Sequence, residues 1–215
     1  MISKNSVYGE KEFKNEYKER DLDWYISTLP NMQALGLEGK ILDLGCGLGF
    51  FVQACLIKDM ECTGIEISEY GVQKAKARYP DIDIIQNDLT KKLPFNDGSF
   101  KSVVINQVID HLTCTDGIGV LQESYRVLSK GGRLFIYSGC RYNKKEAGDP
   151  EHLFLYTPRL LKDTLIKSGF KKVIPLDVPL NFLGNNLLSK RIMRMIFKYF
   201  PLDIFSASAN AVAIK

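Results

Sequence analysis

The chain has 215 residues, of which 45% are hydrophobic, and this is enough for one core near the upper size of a single domain. It has no run of 18 uncharged apolar residues and no signal-peptide core, so we expect one soluble, cytoplasmic domain over residues 1–215. A net charge of +4 does not indicate a nucleic-acid partner, and five cysteines without CxxC spacing, beside only two histidines, favour reduced thiols and no metal.

The N-terminal segment carries aromatic residues at spacings of three and four, with charged residues between them. Over residues 5–28 this pattern predicts an amphipathic helix that ends before Pro30. We expect residues 1–36 to form a helical cap whose aromatic face covers a sheet.

Residues 41–51 organise the rest of the chain. An apolar run leads into glycines at alternate positions, Gly45, Gly47 and Gly49, and a helix-compatible run follows. This order predicts a strand, a tight turn and a helix start, the arrangement that binds nucleotides at the end of a buried parallel strand. A second strand over residues 61–67 carries Glu66, roughly 20 residues past the glycines, where an acid can accept from both ribose hydroxyls.

The glycine pattern separates two classes of nucleotide site. A dinucleotide fingerprint reads GxGxxG/A, but the sixth position counted from Gly45 is Phe50, which would obstruct the close contact between helix and strand. The pattern is instead DxGxGxG, beginning at Asp43. The stretch Leu42-Asp-Leu-Gly-Cys-Gly-Leu-Gly-Phe50 resembles the first motif of the class I S-adenosylmethionine-dependent methyltransferases.

Further elements follow in the order of that family. Ser68 is predicted to cap a helix that runs to about Arg78, and Thr157 to cap one that begins at Pro158. Lys130-Gly-Gly-Arg predicts a tight turn into the fifth strand. The predicted strands after the second are residues 82–85, 102–107, 134–138, 170–178 and 207–214, and the helix between the fourth and fifth covers residues 117–129.

The resemblance implies an α/β, Rossmann-like, doubly wound sheet of seven strands, mostly parallel with an antiparallel last strand, in the order 3-2-1-4-5-7-6. It implies S-adenosyl-L-methionine as cofactor, S-adenosyl-L-homocysteine as product, and no metal. The implied cofactor-binding residues are Asp43, Gly45, Cys46, Gly47, Gly49, Glu66, Ile67, Asp88, Leu89, Asn106 and Gln107. His111 and His152 are the only histidines, and both are candidate bases for a hydroxyl acceptor.

The acceptor is expected to be a small molecule, methylated on oxygen: a saccharide, a lipid-linked compound or a secondary metabolite. Residues 139–156 and 178–206 are the predicted lid and substrate segments, and Tyr17, Trp24 or Tyr25 is a candidate for the substrate mouth. A basic amphipathic helix over residues 187–200 either covers the sheet or contacts an anionic membrane. A nucleic-acid methyltransferase, a nicotinamide dehydrogenase and a non-catalytic binding module remain alternatives.

Overall fold

The structure is a computed structural model that describes residues 20–176 and 208–215. Its sheet has seven strands in the order 3-2-1-4-5-7-6, so the predicted fold class is confirmed. The strands are β1 (Ile41–Leu44), β2 (Cys62–Glu66), β3 (Asp83–Gln86), β4 (Phe100–Asn106), β5 (Leu128–Tyr137), β6 (Lys172–Pro175) and β7 (Ala211–Ile214). The helices are α1 (Leu22–Ala34), α2 (Phe50–Ile57), α3 (Glu69–Arg78), α4 (Cys114–Val127), α5 (Lys144–Ala147) and α6 (Pro158–Lys167), with a short 3-10 helix at Ile109–His111.

The first strands form the buried centre of the fold. Every residue of β1 and β2 is buried, which is typical of parallel strands covered on both faces. β1 pairs in parallel with β2 and with β4, and β2 pairs in parallel with β3. Because parallel strands end at the same edge of a sheet, the segments that follow β1 and β2 meet there. β7 pairs antiparallel with β6, as predicted.

The chain divides into two compact units. The first lies within Met1–Ile105 and Arg126–Leu134, and the second within Asn106–Tyr125 and Phe135–Lys215. Each has its own fully buried apolar residues. In the first unit these include Ile41, Leu42, Leu44, Ile65 and Phe100, and in the second Ile109, Leu121, Phe135, Tyr156 and Phe170. The single domain over residues 1–215 stays a prediction.

Two helix starts are capped as the sequence predicts. The Ser68 side chain accepts from the backbone N–H of Gly71 at 3.1 Å, at the start of α3. The Thr157 side chain accepts from the N–H of Leu160 at 3.1 Å, with Pro158 at the first position of α6. Each cap gives an acceptor to one backbone N–H that has no partner inside its helix.

The predicted end of the N-terminal helix is wrong. α1 continues through Pro30 to Ala34, although an interior proline costs a helix about 3 kcal/mol. Leu29 and Met32, which flank Pro30, are both buried, and this packing keeps the chain helical. The predicted start is wrong as well, because the helix begins at Leu22, where the Asp21 side chain caps it by accepting from the N–H of Trp24 at 3.0 Å. Residues 5–19 of the predicted helix, with Tyr17, and the predicted segment 178–206, with its helix over residues 187–200, lie outside the described residues.

The predicted turn at Lys130-Gly-Gly-Arg is also wrong, because these residues lie inside β5. Gly131 has φ +72° there, a left-handed conformation typical of a bulge in a strand. A Cβ on Gly132 would lie 2.9 Å from the carbonyl oxygens of both Lys101 and Ser129. Gly131 therefore permits an irregularity in β5, and Gly132 permits the backbone of β5 to lie close to that of Lys101 in β4.

Candidate functional site

The glycine turn joins β1 to α2 in the first unit. Gly45, Gly47 and Gly49 all have positive φ, at 79°, 52° and 74°. The backbone N–H groups of Gly45 and Cys46 both donate to the carbonyl oxygen of Ile65, at 2.8 and 2.9 Å, and tie the turn to β2. Residues other than glycine rarely adopt a positive φ, so the conformation of the turn itself requires the alternating glycines.

Cys46 packs between the turn and β2. It is buried, and a Cβ placed on Gly64 of β2 would lie 2.6 Å from its Sγ. Its thiol therefore occupies the space that a side chain at position 64 would need. Gly64 is a residue that the motif analysis missed, because its role depends on contact between two strands rather than on spacing along the chain.

Glu66, at the end of β2, is fixed against the glycine turn. Its Oε2 accepts from the backbone N–H of Gly47 at 2.9 Å, and its Oε1 accepts from the N–H of Ser68 at 2.8 Å. The residue is only 7% exposed. A carboxylate has about four lone-pair positions, so this one can accept further hydrogen bonds, for example from a neighbouring hydroxyl.

Two buried carboxyl groups give this turn an unusual electrostatic character. Burial raises the pKa of Asp43 to about 8, and repulsion from the Glu66 carboxylate adds to the shift. Burial also raises the pKa of Glu66, against the opposing effect of its backbone N–H donors. The pKa of Cys46 is raised for the same reasons, first by burial and then by the two carboxylates. A cationic group placed here would favour the ionised carboxylates.

Asp88 and Leu89 follow β3, whose last residue, Gln86, pairs with Glu66. Asp88 is half-buried, and its Oδ1 accepts from both the backbone N–H and the hydroxyl of Thr90, at 2.9 and 2.8 Å. This carboxyl group therefore shapes a turn, whatever else it binds. Leu89, the next residue, is buried. Ile67, which follows β2, is linked to the end of β3, because its carbonyl oxygen accepts from the side-chain amide of Gln86 at 3.2 Å.

The remaining predicted site residues belong to the second unit. Asn106 ends β4, and Gln107 has φ 54°, which is rare for a residue other than glycine. The Gln107 N–H donates to the carbonyl oxygen of Tyr137 at 2.8 Å. The rings of His111 and His152 lie edge to face, with centroids 5.0 Å apart. The two histidines of the chain are thus brought together although 41 positions separate them in the sequence.

Two acidic residues that the sequence analysis missed accompany His152. Its Nε2 lies 3.8 Å from Oδ2 of Asp110, and its Nδ1 lies 3.6 Å from Oε2 of Glu146. Asp110 is fully buried. An acid inside the apolar run Val108-Ile-Asp-His-Leu112 was the available signal for Asp110. Glu146 instead stands in a charged stretch of sequence where nothing distinguishes it from its neighbours.

The structure thus places the predicted residues in two groups. The first unit holds Asp43, Gly45, Cys46, Gly47, Gly49, Glu66, Ile67, Asp88 and Leu89, and the second holds Asn106, Gln107, His111 and His152. The first group has the features of a site for a nucleoside with a cationic substituent: fixed acceptors for hydroxyls and buried acids. The second group has the features of a proton-accepting site.

Comparison with known proteins identifies the family. A sequence profile described as a methyltransferase domain matches residues 42–136, which contain the glycine turn and Glu66. A malonyl-[acyl-carrier protein] O-methyltransferase of Erwinia billingiae is 34% identical over 192 residues, covering 76% of this chain and 75% of that protein. The chain belongs to the class I S-adenosylmethionine-dependent methyltransferases. This confirms the resemblance drawn from the glycine motif.

Other members of this methyltransferase family agree. A probable S-adenosylmethionine-dependent methyltransferase of Mycolicibacterium smegmatis is 39% identical over 137 residues, covering 61% of this chain and 51% of that protein. The crystal structure of a SAM-dependent methyltransferase from Archaeoglobus fulgidus covers 94% of this chain and 99% of its own, with a TM-score of 0.69 and 21% identity, and supports the fold. The chain spans about half the length of several curated relatives that it matches.

Membership of this methyltransferase family implies S-adenosylmethionine as cofactor, and the residues of the first unit fit that molecule. Its sulfonium and ammonium groups are cations, which suit the buried acids Asp43 and Glu66. Its ribose hydroxyls suit the free lone pairs of the fixed Glu66 carboxylate. Among the described residues, no helix is long and apolar enough to cross a membrane.

Proposed function

We propose that this methyltransferase transfers the methyl group of S-adenosylmethionine to an oxygen atom of a small-molecule acceptor. The observation that carries the proposal is the Glu66 carboxylate, buried and held by two backbone N–H groups beside the glycine turn. A site of this kind fixes a ribose in one orientation without rearrangement. Fixing two reactants in line can lower a barrier by about 7 to 11 kcal/mol, so few catalytic side chains are needed.

In the proposed site Gly45, Gly47 and Gly49 hold the methionine and ribose portions of the cofactor. Asp43 faces its cationic groups, and Glu66 accepts from the ribose hydroxyls. Asp88 and Leu89 bind the adenine, with Ile67 and Cys46 lining the turn. Asn106, the last residue of β4, and Gln107 after it stay candidate cofactor-binding residues from the sequence prediction. The bound cofactor supplies an electrophilic methyl carbon on a sulfonium, and the electron pair of the broken S–C bond stays on sulfur.

The histidine pair supports oxygen as the acceptor atom. A hydroxyl must lose its proton as the new C–O bond forms, and an imidazole can take it. His111 and His152 lie together in the second unit, so one histidine can receive the proton while its neighbour limits the movement of the ring. A base of this kind contributes about 10²- to 10⁴-fold to the rate.

Relatives with O-methyltransferase names support the same acceptor atom. They include the malonyl-[acyl-carrier protein] O-methyltransferase of Erwinia billingiae and a ubiquinone biosynthesis O-methyltransferase of Dechloromonas aromatica, the second 29% identical over 114 residues. We therefore expect the acceptor of this chain to be a hydroxyl or carboxyl group on a saccharide, a lipid-linked compound or a secondary metabolite. A nucleic-acid acceptor and a non-catalytic binding role are the alternatives.

An acceptor screen tests this proposal. The assay measures formation of S-adenosylhomocysteine in the presence of phenols, acyl carboxylates, glycans and RNA in separate reactions. Turnover with an oxygen acceptor, reduced about 10²-fold or more by His111→Asn or His152→Asn while S-adenosylhomocysteine still binds, is the expected result. Turnover with RNA alone, or cofactor binding without any turnover, would replace the proposal by the corresponding alternative.

A further inference from the structure

Three side chains of the second unit form a candidate metal centre. One ligand atom from each of Asp110, Glu146 and His152 can be chosen so that all lie within 4.8 Å of one another. We propose that these residues bind one divalent first-row transition-metal ion, for which Zn²⁺ is the natural probe. The site would fasten the segment after β5 to the 3-10 helix at Ile109–His111.

Asp110 provides the strongest observation. It is fully buried, and its Oδ2 accepts from the backbone N–H of Gly139 at 3.1 Å. Its Oδ1 is also buried and has no hydrogen-bond partner among the residues that the structure describes. A buried carboxylate oxygen without a donor is costly, so such a carboxylate is normally paired with a cation or coordinated to a metal. Since Oδ2 is the oxygen nearest His152, an ion held by both oxygens of Asp110 would also satisfy Oδ1.

The His152 ring is oriented as a metal ligand. Its Nδ1 lies 2.8 Å from the backbone carbonyl oxygen of Glu146. A carbonyl oxygen can only accept, so Nδ1 carries the hydrogen and the neutral ring keeps its lone pair on Nε2. A backbone carbonyl that receives the other ring N–H is the usual support for a metal-bound histidine. That Nε2 is the atom nearest the Asp110 carboxylate.

The distance between His152 and Asp110 suits a shared metal ion better than a direct hydrogen bond. Nε2 of His152 is 3.8 Å from Oδ2 of Asp110, which is longer than a hydrogen bond. Two ligands that each bind one zinc ion at about 2.0 to 2.2 Å stand roughly 3 to 4 Å apart, so the same distance suits a shared ion. Glu146 brings a second carboxylate, whose side chain is 25% exposed and whose Oε2 lies 3.6 Å from Nδ1 of the same His152 ring.

The donor set indicates which metals fit. Imidazole with carboxylates suits zinc, manganese and iron better than magnesium or calcium, which prefer oxygen ligands alone. Three protein ligands leave a position for water, as in open zinc sites. The backbone around the cluster is already held together, because the carbonyl oxygen of Asp110 accepts from the N–H groups of Leu153 and Phe154 at 2.8 and 3.2 Å. With His152 as a ligand, His111 is the histidine left to act as a base.

Zinc titration of the full chain, with its purification tag removed and after treatment with a chelator, tests the assignment. We expect one Zn²⁺ per chain by calorimetry and a higher melting temperature with the metal than without it. Glu146→Gln should weaken zinc binding at least about 10-fold. Glu151→Gln is the matched control, since Glu151 is an exposed acid of the same segment, and it should bind zinc like the wild type.

Two results would overturn the proposal. The first is a wild-type chain that binds no zinc and whose melting temperature the metal does not change. In that case the contact between His152 and Asp110 would not involve a metal. The second is zinc binding that is equally strong in Glu146→Gln and Asp110→Asn, which would place the ion elsewhere, for instance on the exposed thiol of Cys114. Neither result depends on methyl transfer, so this test is separate from that of the proposed function.

Discussion

Glu66→Gln is the substitution that probes the cofactor site most sharply, because the structure predicts two separate effects. A glutamine has one acceptor oxygen, whereas the Glu66 carboxylate accepts from Gly47 with one oxygen and from Ser68 with the other. One of these two N–H groups therefore loses its acceptor, at a cost of about 1 to 3 kcal/mol of stability.

The second effect of Glu66→Gln concerns binding. Loss of a charged acceptor for the ribose hydroxyls should cost about 1.5 to 3 kcal/mol, which is about 10- to 100-fold in the dissociation constant of S-adenosylhomocysteine. Calorimetry measures the affinity and urea unfolding the stability. Glu69→Gln is the control, since this exposed acid lies three positions away in α3. Unchanged affinity in Glu66→Gln, with a folded protein, would remove Glu66 from the site.

Two further substitutions test the physics of the turn. The Asp43 pKa of about 8 lies above its ordinary 3.8, so the folded chain keeps a proton that the unfolded chain has lost. Between about pH 4 and pH 8 the free energy of unfolding should therefore fall as the pH rises, by up to about 1.4 kcal/mol per pH unit. In urea unfolding Asp43→Asn should remove this pH dependence, whereas the control Asp81→Asn, at an exposed position, should keep it. Equal pH dependence in the two variants would refute the raised pKa of Asp43. Gly49→Ala should lower stability by about 1 to 2 kcal/mol or more, because φ is +74° and the new Cβ would lie 2.7 Å from Ile82. Gly119 lies in α4, and a Cβ added there would meet no atom within 4 Å, so Gly119→Ala should instead stabilise the fold by up to about 1 kcal/mol. Thermal unfolding in which the two variants shift the melting temperature equally would contradict this account.

Local chemistry explains why much of the fold could be predicted. The glycines after β1, the Ser68 cap and the Thr157-Pro158 helix start each depend on a few neighbouring residues, and the structure has all three where the sequence indicates. The order of the strands followed from the family resemblance rather than from these signals.

The errors arise where distant contacts decide the outcome. Pro30 normally ends a helix, but burial of Leu29 and Met32 keeps α1 intact. The glycines of β5 predict a turn locally, yet they serve a close approach to Lys101 in another strand. Folding brings Asp110 and Glu146 close to His152, and the spacing of these residues along the chain does not predict the cluster.

Calorimetric titration with S-adenosylhomocysteine, with NAD run in parallel, tests the central claim most directly. The DxGxGxG turn, with Glu66 fixed against it, predicts saturable binding of S-adenosylhomocysteine at micromolar concentrations and no binding of NAD. Binding of NAD alone would indicate a dinucleotide site in spite of Phe50. Binding of neither ligand would contradict the claim that the glycine turn and Glu66 form a cofactor site.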